Sequence, residues 1–426
     1  MKMVLPDGFE FGVVKSKADL EDLIKFNAVV HGDDDPEEIR RQIDNLPNLD
    51  RESNFCIRNL DKGIIVSAAS AIPSVWMYET IPLSNLELGW VGTLKEYRRK
   101  GLVRALYTHF EEILQRGEYH ISTIMGIPYY YRQFGYDFVL PLDRTVQLRV
   151  DQIPVPKNEA KKSIVFREAS QNDIPNLMRL YDEHNRKMLV HAVRTKGLWE
   201  LQERFHREFE QEFKTMILER DGKVAGYFRL CVRGAKKQAP QGLWLSVMES
   251  SMTTFDDVLQ TLQYLRERAA EENVCRIDLV GPAVNNLCRV AQDLGGHVDI
   301  GWKYQIRIPN MTRFLEQIRP AIESRLIGTM FEGMTRELAI NTYEHCYQLS
   351  FVNGKLAPVK DIGMQEVSEY RNFRAPPNDL IRLVLGDYNT EELRSQNIDF
   401  IVSKELKPLV ETLFPKKNSF IAYYYC

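Results

Sequence analysis

The sequence predicts a mixed α/β protein in three blocks. Three observations lead there. Two consecutive stretches repeat the same order of strands, hairpins and helices. The repeat spacing is about 150 residues, which indicates duplicated domains and not a solenoid. The rest of the chain alternates like half-buried antiparallel strands set between amphipathic helices. With 426 residues, 44% of them hydrophobic and 27% charged, the chain is long and apolar enough to bury full cores.

The first block, 1–155, opens with a strand at Glu10–Lys15, then a helix at Ala18–Val29 and a hairpin turned at Asp61-Lys62-Gly63. A strand at Leu86–Leu94 leads into a helix at Leu102–Arg116. Ile121–Met125 and an exit strand at Phe138–Leu148 close it. The joint Pro154–Lys162 carries two prolines and three lysines without apolar periodicity. The second block, 156–308, repeats the order: strand Ile164–Arg167, helix Asp173–Asn185 and a hairpin turned at Asp221-Gly222-Lys223. Strand Gly242–Glu249 then leads into helix Phe255–Glu271, followed by strand Arg276–Val280 and an exit strand within His297–Ile308. In the third block, 309–426, Phe314, Leu315, Ile318 and Ile322 mark a helix face, and Tyr347, Leu349 and Phe351 alternate. Asn353-Gly354 is a hairpin turn, and Pro376-Pro377-Asn378-Asp379 starts another helix.

Charge and cysteine usage narrow the function classes. The 56 Lys+Arg against 59 Asp+Glu leave a net charge of −3, which argues against a chain-wide nucleic-acid binder. The six cysteines are scattered with no C-x-x-C spacing, and the eight histidines form no metal pattern. The most apolar run, Ile64–Ile72, is too short for a membrane span, and Met1–Phe11 lacks the apolar core of a secretion signal. A cytoplasmic protein without metal, membrane or nucleic-acid partners is expected.

The informative segment is LGWVGTLKEYRRKGLVRALY, Leu88–Tyr107. A strand ends, Arg98-Arg99-Lys100-Gly101 turns, and an amphipathic helix begins. Free backbone N–H groups converge at such a helix start, and the helix dipole adds about 0.3–1 kcal/mol for an anion. Two arginines can add charge-assisted bonds. The arrangement suits a pyrophosphate better than a single carboxylate. Taken alone, the turn reads equally as a solvated cap. The aromatic cluster Tyr129, Tyr130, Tyr131 and Tyr136 taken alone reads as packing. Asp33-Asp34-Asp35 beside His31 reads as a solvated turn or as an attractor for a cationic amine.

Together these segments resemble the GNAT N-acetyltransferases, and in particular the subgroup around the "enhanced intracellular survival" (Eis) enzymes. Arg98-x-x-Gly101-x-Val103 is similar to the Arg/Gln-x-x-Gly-x-Gly/Ala loop, with Val103 and Lys95 as departures. Tyr131-x-x-Phe134-Gly135-Tyr136 is similar to the subgroup's Tyr-x-x-Phe-Gly-Tyr. The tail segments PPNDLIRLVLGDY and LFPKKNSFI resemble a sterol-carrier-protein-like domain. The implied fold is two tandem acetyltransferase-type domains followed by that third domain. The implied reaction is acetyl transfer from acetyl-CoA to a primary amine by direct attack in a ternary complex. The acceptor would be aminoglycoside-like, a polyamine or a lysine side chain.

Carried over by position, the backbone of Val91 and Thr93 would hold the pantetheine arm. Arg98, Arg99, Gly101, Leu102 and Val103 would hold the pyrophosphate. Tyr131 would protonate the leaving thiolate, and the α-carboxylate of the last residue, Cys426, would act as base. The resemblance also implies a homo-oligomer, a hexamer being common in the subgroup. The second block reads Met248-Glu249-Ser250-Ser251-Met252-Thr253-Thr254-Phe255-Asp256-Asp257 where the basic loop should stand, so no CoA is expected there. The competing reading is an apolar-ligand-binding or scaffold protein with a non-catalytic acetyltransferase fold.

Overall fold

The computed structural model describes residues 3–31, 36–45, 49–155, 164–208, 213–233, 244–366 and 372–421. The chain forms two compact units, residues 1–139 with 304–416 and residues 140–303 with 417–426.

The first unit begins with β1 (Phe9–Val13), α1 (Lys17–His31), α2 (Pro36–Asn45), β2 (Asn54–Asn59), β3 (Ile64–Tyr78), β4 (Ile81–Thr93), α3 (Leu102–Arg116), β5 (Ile121–Ile124) and β6 (Asp137–Pro141). Side chains of successive strand residues alternate between the two faces. Thus Phe55 and Ile57 pack with Leu102, Leu106 and Phe110 of α3, while Cys56 packs with Leu20, Leu23 and Ile24 of α1. Helices therefore cover both faces of this sheet.

The second unit carries β7 (Thr145–Arg149), β8 (Ile164–Glu168), α4 (Ile174–Asn185), β9 (Val190–Ala192), α5 (Lys196–Glu208), β10 (Phe213–Arg220), β11 (Lys223–Arg233) and β12 (Trp244–Ser250). α6 (Phe255–Glu271), β13 (Arg276–Val280), α7 (Asn286–Asp293) and β14 (His297–Asp299) complete it. Its sheet runs β8-β10-β11-β12-β13-β7-β14. After β15 (Lys303–Arg307) the first sheet reads β1-β2-β3-β4-β5-β15-β6. The two orders correspond strand for strand, including one parallel contact: β4 with β5, and β12 with β13.

The sixth strand of each sheet corrects the sequence reading. The expected exit strand Phe138–Leu148 is broken into β6, in the first sheet, and β7, in the second. The expected exit strand of the second block is likewise divided, with β14 in the second sheet and β15 in the first. β15 pairs antiparallel with β5, Gln305 facing Ile124. Residues 142–144 and the left-handed Gly301 (φ 60°) interrupt the two runs. Alternating apolarity specifies that a segment is a strand and says nothing of which sheet accepts it.

The C-terminal part of the first unit comprises α8 (Met311–Gln317), α9 (Arg319–Ser324), β16 (Arg336–Asn341), β17 (Cys346–Val352), β18 (Lys355–Leu356), β19 (Lys360–Asp361), β20 (Phe373–Arg374), α10 (Pro377–Val384), α11 (Thr390–Gln396), β21 (Ile401–Val402) and α12 (Lys407–Leu413). Its sheet runs β18-β17-β16-β20-β21, with β19 beside β17. The tail docks in the second unit: Leu189 N donates to Asn418 O (2.8 Å), Phe420 N donates to Val190 O (3.0 Å), and Phe420 is buried with Tyr181, Trp199 and Tyr227. Among the described residues no helix is long and apolar enough to cross a membrane.

Candidate active site

The site is built where β4 outruns its parallel neighbour. β4 pairs with β5 only at Asn85, Leu86 and Glu87, although it continues to Thr93. A bulge against β3 lies in the unpaired part: Ser70 faces Gly89, whereas Ala68 already faces Gly92. Trp90, inside the bulge, has φ 50°, a left-handed conformation uncommon for a bulky residue. The extra residue turns β4 away from β5, so Leu88–Thr93 has no ladder partner on the β5 side among the described residues. Val91 and Thr93, both half-buried, lie on this opened stretch.

The strand feeds a 3₁₀ turn at Lys95–Tyr97 and then the basic loop. Arg98 is tied back by its Nε to Thr93 O (3.2 Å), and Arg98, Arg99, Lys100 and Gly101 are exposed. Arg99 (φ 64°) and Gly101 (φ 75°) are both left-handed, a pattern that turns consecutive N–H groups toward one side. Gly101 caps α3 with no side-chain hydrogen bond, and no acidic residue occupies the first turn. The N–H groups at this helix start are left without a side-chain acceptor, next to the two arginines. Leu102 is buried in the core beneath and Val103 is half-buried, so both face the loop through backbone. The residues present fit a pyrophosphate, and an acyl-CoA would bring to the opened strand an activated thioester.

Tyr131 lies in a 3₁₀ turn, Tyr130–Phe134, that packs on the first two turns of α3. Arg104 donates to Gln133 Oε1 (2.9 Å), and the rings of Tyr107 and Phe134 stack at 4.0 Å. The Tyr131 ring lies directly over Gly126, where a Cβ would come within 2.3 Å of it, so only glycine fits beneath. Tyr131 is 5% exposed and shares one cluster with Leu86, Leu88 and Leu102. Its neighbours are satisfied: Tyr136 Oη is 2.6 Å from Ser122 Oγ, and Tyr107 Oη accepts from Arg307 at 2.6 Å. The Tyr131 hydroxyl has no hydrogen-bond partner among the described residues. Burial pushes its phenol well above the ordinary tyrosine range, which keeps it a proton donor at neutral pH.

Cys426 lies outside the described residues, as do Asp33, Asp34 and Asp35. Sequence reasoning missed Arg104, Tyr107 and Arg307, which hold the Tyr131 turn. Arg104 offered a signal, standing one turn into the helix opened by Gly101. Arg307, far along the chain, offered none.

The equivalent place in the second sheet is filled. β12 also bulges, Leu230 facing Val247 and Arg229 facing Glu249. Arg194 clamps the buried Glu249 carboxylate through two nitrogens, at 3.1 and 2.6 Å, and holds it below the usual carboxylate range despite its burial. Asn285 donates to Ser250 O (3.1 Å), and Asn286 donates to Met252 O (3.0 Å). Thr254 and Asp257 form a reciprocal capping box on α6, and Arg220 pairs with Asp256 and Asp257.

Residues 15–139 match the acetyltransferase (GNAT) domain family. No curated protein sequence matches the chain. Among solved structures, a GCN5-related N-acetyltransferase from Anabaena variabilis superposes with a TM-score of 0.72 at 14% identity, covering 97% of this chain and 99% of that one. Eis1 from Mycobacterium abscessus superposes with a TM-score of 0.66 at 15% identity, over 97% and 99%. N-myristoyltransferase from Saccharomyces cerevisiae, solved with bound myristoyl-CoA, gives 0.50 at 14% identity over 72% and 79%. At these identities the likeness is one of fold. With the domain match, it supports an acyltransferase that draws on an acyl-CoA.

Proposed function

We propose that the protein is an acetyl-CoA-dependent N-acetyltransferase that acetylates a primary amine by direct attack in a ternary complex. The observation that carries this reading is the opened β4 edge leading straight into an uncapped, arginine-flanked helix start. Backbone groups of Val91 and Thr93 hold the pantetheine arm, and Arg98, Arg99, Gly101, Leu102 and Val103 hold the pyrophosphate. An amine attacks a thioester only when neutral, and the departing thiolate needs a proton; each positioned acid or base contributes about 10²–10⁴-fold. Tyr131, a buried residue whose hydroxyl has no hydrogen-bond partner among the described residues, serves as the acid. Strand N–H groups stabilise the tetrahedral oxyanion.

The α-carboxylate of Cys426 serves as base. Its intrinsic pKa of roughly 3.5 favours a relay through water. Docking of Asn418–Phe420 beside β9 supports an anchored tail. The acceptor is aminoglycoside-like, a polyamine or a lysine side chain, and residues 309–426 form a sterol-carrier-like third domain in a homo-oligomer.

A thiol-release screen across aminoglycosides, polyamines and lysine peptides tests the reading. Turnover with at least one amine is expected, and acetyl-CoA that neither binds nor is consumed defeats it. Residues appended after Cys426 should lower turnover and leave acetyl-CoA affinity unchanged; full activity of the extended chain rules out the carboxylate as base.

A further inference from the structure

We propose that Arg382, on α10, is a positioning residue that holds the Tyr131 turn for proton transfer by clamping Asp137. The inference rests on the reading of Tyr131 as the acid.

The turn is closed by two backbone bonds, Gly135 N to Arg132 O (3.0 Å) and Tyr136 N to Tyr131 O (3.3 Å). Asp137 follows at once. Its carboxylate is almost fully buried, with Oδ1 accepting from Phe138 N (2.9 Å) and lying 3.4 Å from Arg132 Nη2. Oδ2 accepts from Arg382 Nη2 at 2.6 Å, across 245 residues of sequence. The guanidinium is itself aimed: Nη1 donates to Asp379 Oδ1 (3.3 Å), and Asp379 is buried and held by Asn397 Nδ2 (2.7 Å). Arg382 thus ties the exit of the turn to α10 with a planar guanidinium that bridges two carboxylates, Asp137 and Asp379, which a lysine cannot reproduce.

Removing Arg382 leaves the buried Asp137 carboxylate only its longer contact with the half-exposed Arg132, and the chain at Asp137 must then shift toward water. That displacement reaches the Tyr131 carbonyl through one peptide and one hydrogen bond. The pair borders a cleft of about 1040 Å³ lined by Arg132, Gly135, Asp137, Asp379, Arg382 and Asn397, wide enough to admit a free guanidinium ion.

The test uses the full chain and the acceptor found by the screen. Arg382→Ala should lower kcat about 10–100-fold while acetyl-CoA affinity, by calorimetry, stays within about twofold. Low millimolar guanidinium should restore part of kcat. In a Tyr131→Phe background Arg382→Ala should add little, because both changes remove one function. Parallel loss of affinity, full multiplication of the two losses, or unchanged kcat overturns the proposal. Should Arg382→Ala not fold, the same cycle with Arg382→Lys and Asp137→Asn decides it by the same criteria. If Tyr131→Phe alone keeps wild-type turnover, the acid reading itself fails, and this inference with it.

Discussion

The two sheets reach the same point by the same route and part there. Each has a strand that bulges after a short parallel contact and then leads to an amphipathic helix. At α3 the bulged strand has no ladder partner on its β5 side among the described residues, and the helix start lacks a side-chain cap. At α6 a threonine and an aspartate cap the helix, an asparagine bridges the strand end, and an arginine–glutamate pair fills the bulge. The backbone plan is therefore shared. A handful of side chains makes the difference, by leaving the helix start without a side-chain acceptor in one copy and capping it in the other.

The largest effect that tests the contrast is expected from Gly101→Glu. A Cβ there meets nothing within 4 Å, but the φ of 75° strains any side chain and the carboxylate brings negative charge to the anion site. Acetyl-CoA binding should fall at least about 100-fold by calorimetry, an amount that charge repulsion plus lost dipole attraction can supply. Retained affinity would mean that α3 is no more a binding site than α6. Next comes Tyr131→Phe, expected to cut kcat about 10²-fold or more with unchanged acetyl-CoA affinity. Equal loss in both would return Tyr131 to the core.

The converse change is smaller. Thr254→Gly with Asp257→Ala opens the α6 start and should cost about 1–2 kcal/mol of stability, the worth of a cap and its partners. Binding should stay at one acetyl-CoA per chain; a second equivalent would show that capping alone had closed the slot.

The smallest effect concerns pH. Burial lowers His191, beside the docked tail, to about 4, so its folded pKa lies below the unfolded value of about 6.5. Its contribution is fully present above pH ~6.5 and is lost as pH falls toward about 4. His191→Leu should flatten that part of the Tm-against-pH curve, and an unchanged slope would assign the dependence elsewhere.

Much of this contrast is legible in the sequence. The helices at 102–116 and 255–271 stand where periodicity places them, and the swap of RRKG for acidic residues announces which copy keeps a loop. Local patterns carry that information because caps and turns are satisfied by near neighbours. What stays hidden is non-local. Arg307 reaches this region through Tyr107, and Arg382 through Asp137, and nothing near either residue says that it will lie beside a tyrosine turn. The full extent of the β3–β4 hairpin, Ile64 to Thr93, is also obscured, since Pro73 and Pro82 read as breaks yet fall within paired strands.

The traded strands, β7 and β15, have a consequence for how the chain is made. Emerging from the ribosome, the first sheet must wait for Gln305 before the strand between β5 and β6 is in place. Until then β5 presents a bare edge, open to the wrong partner. Truncation between residues 155 and 303 should accordingly yield insoluble protein and not a working half, because the first sheet is finished only by a strand that follows the second.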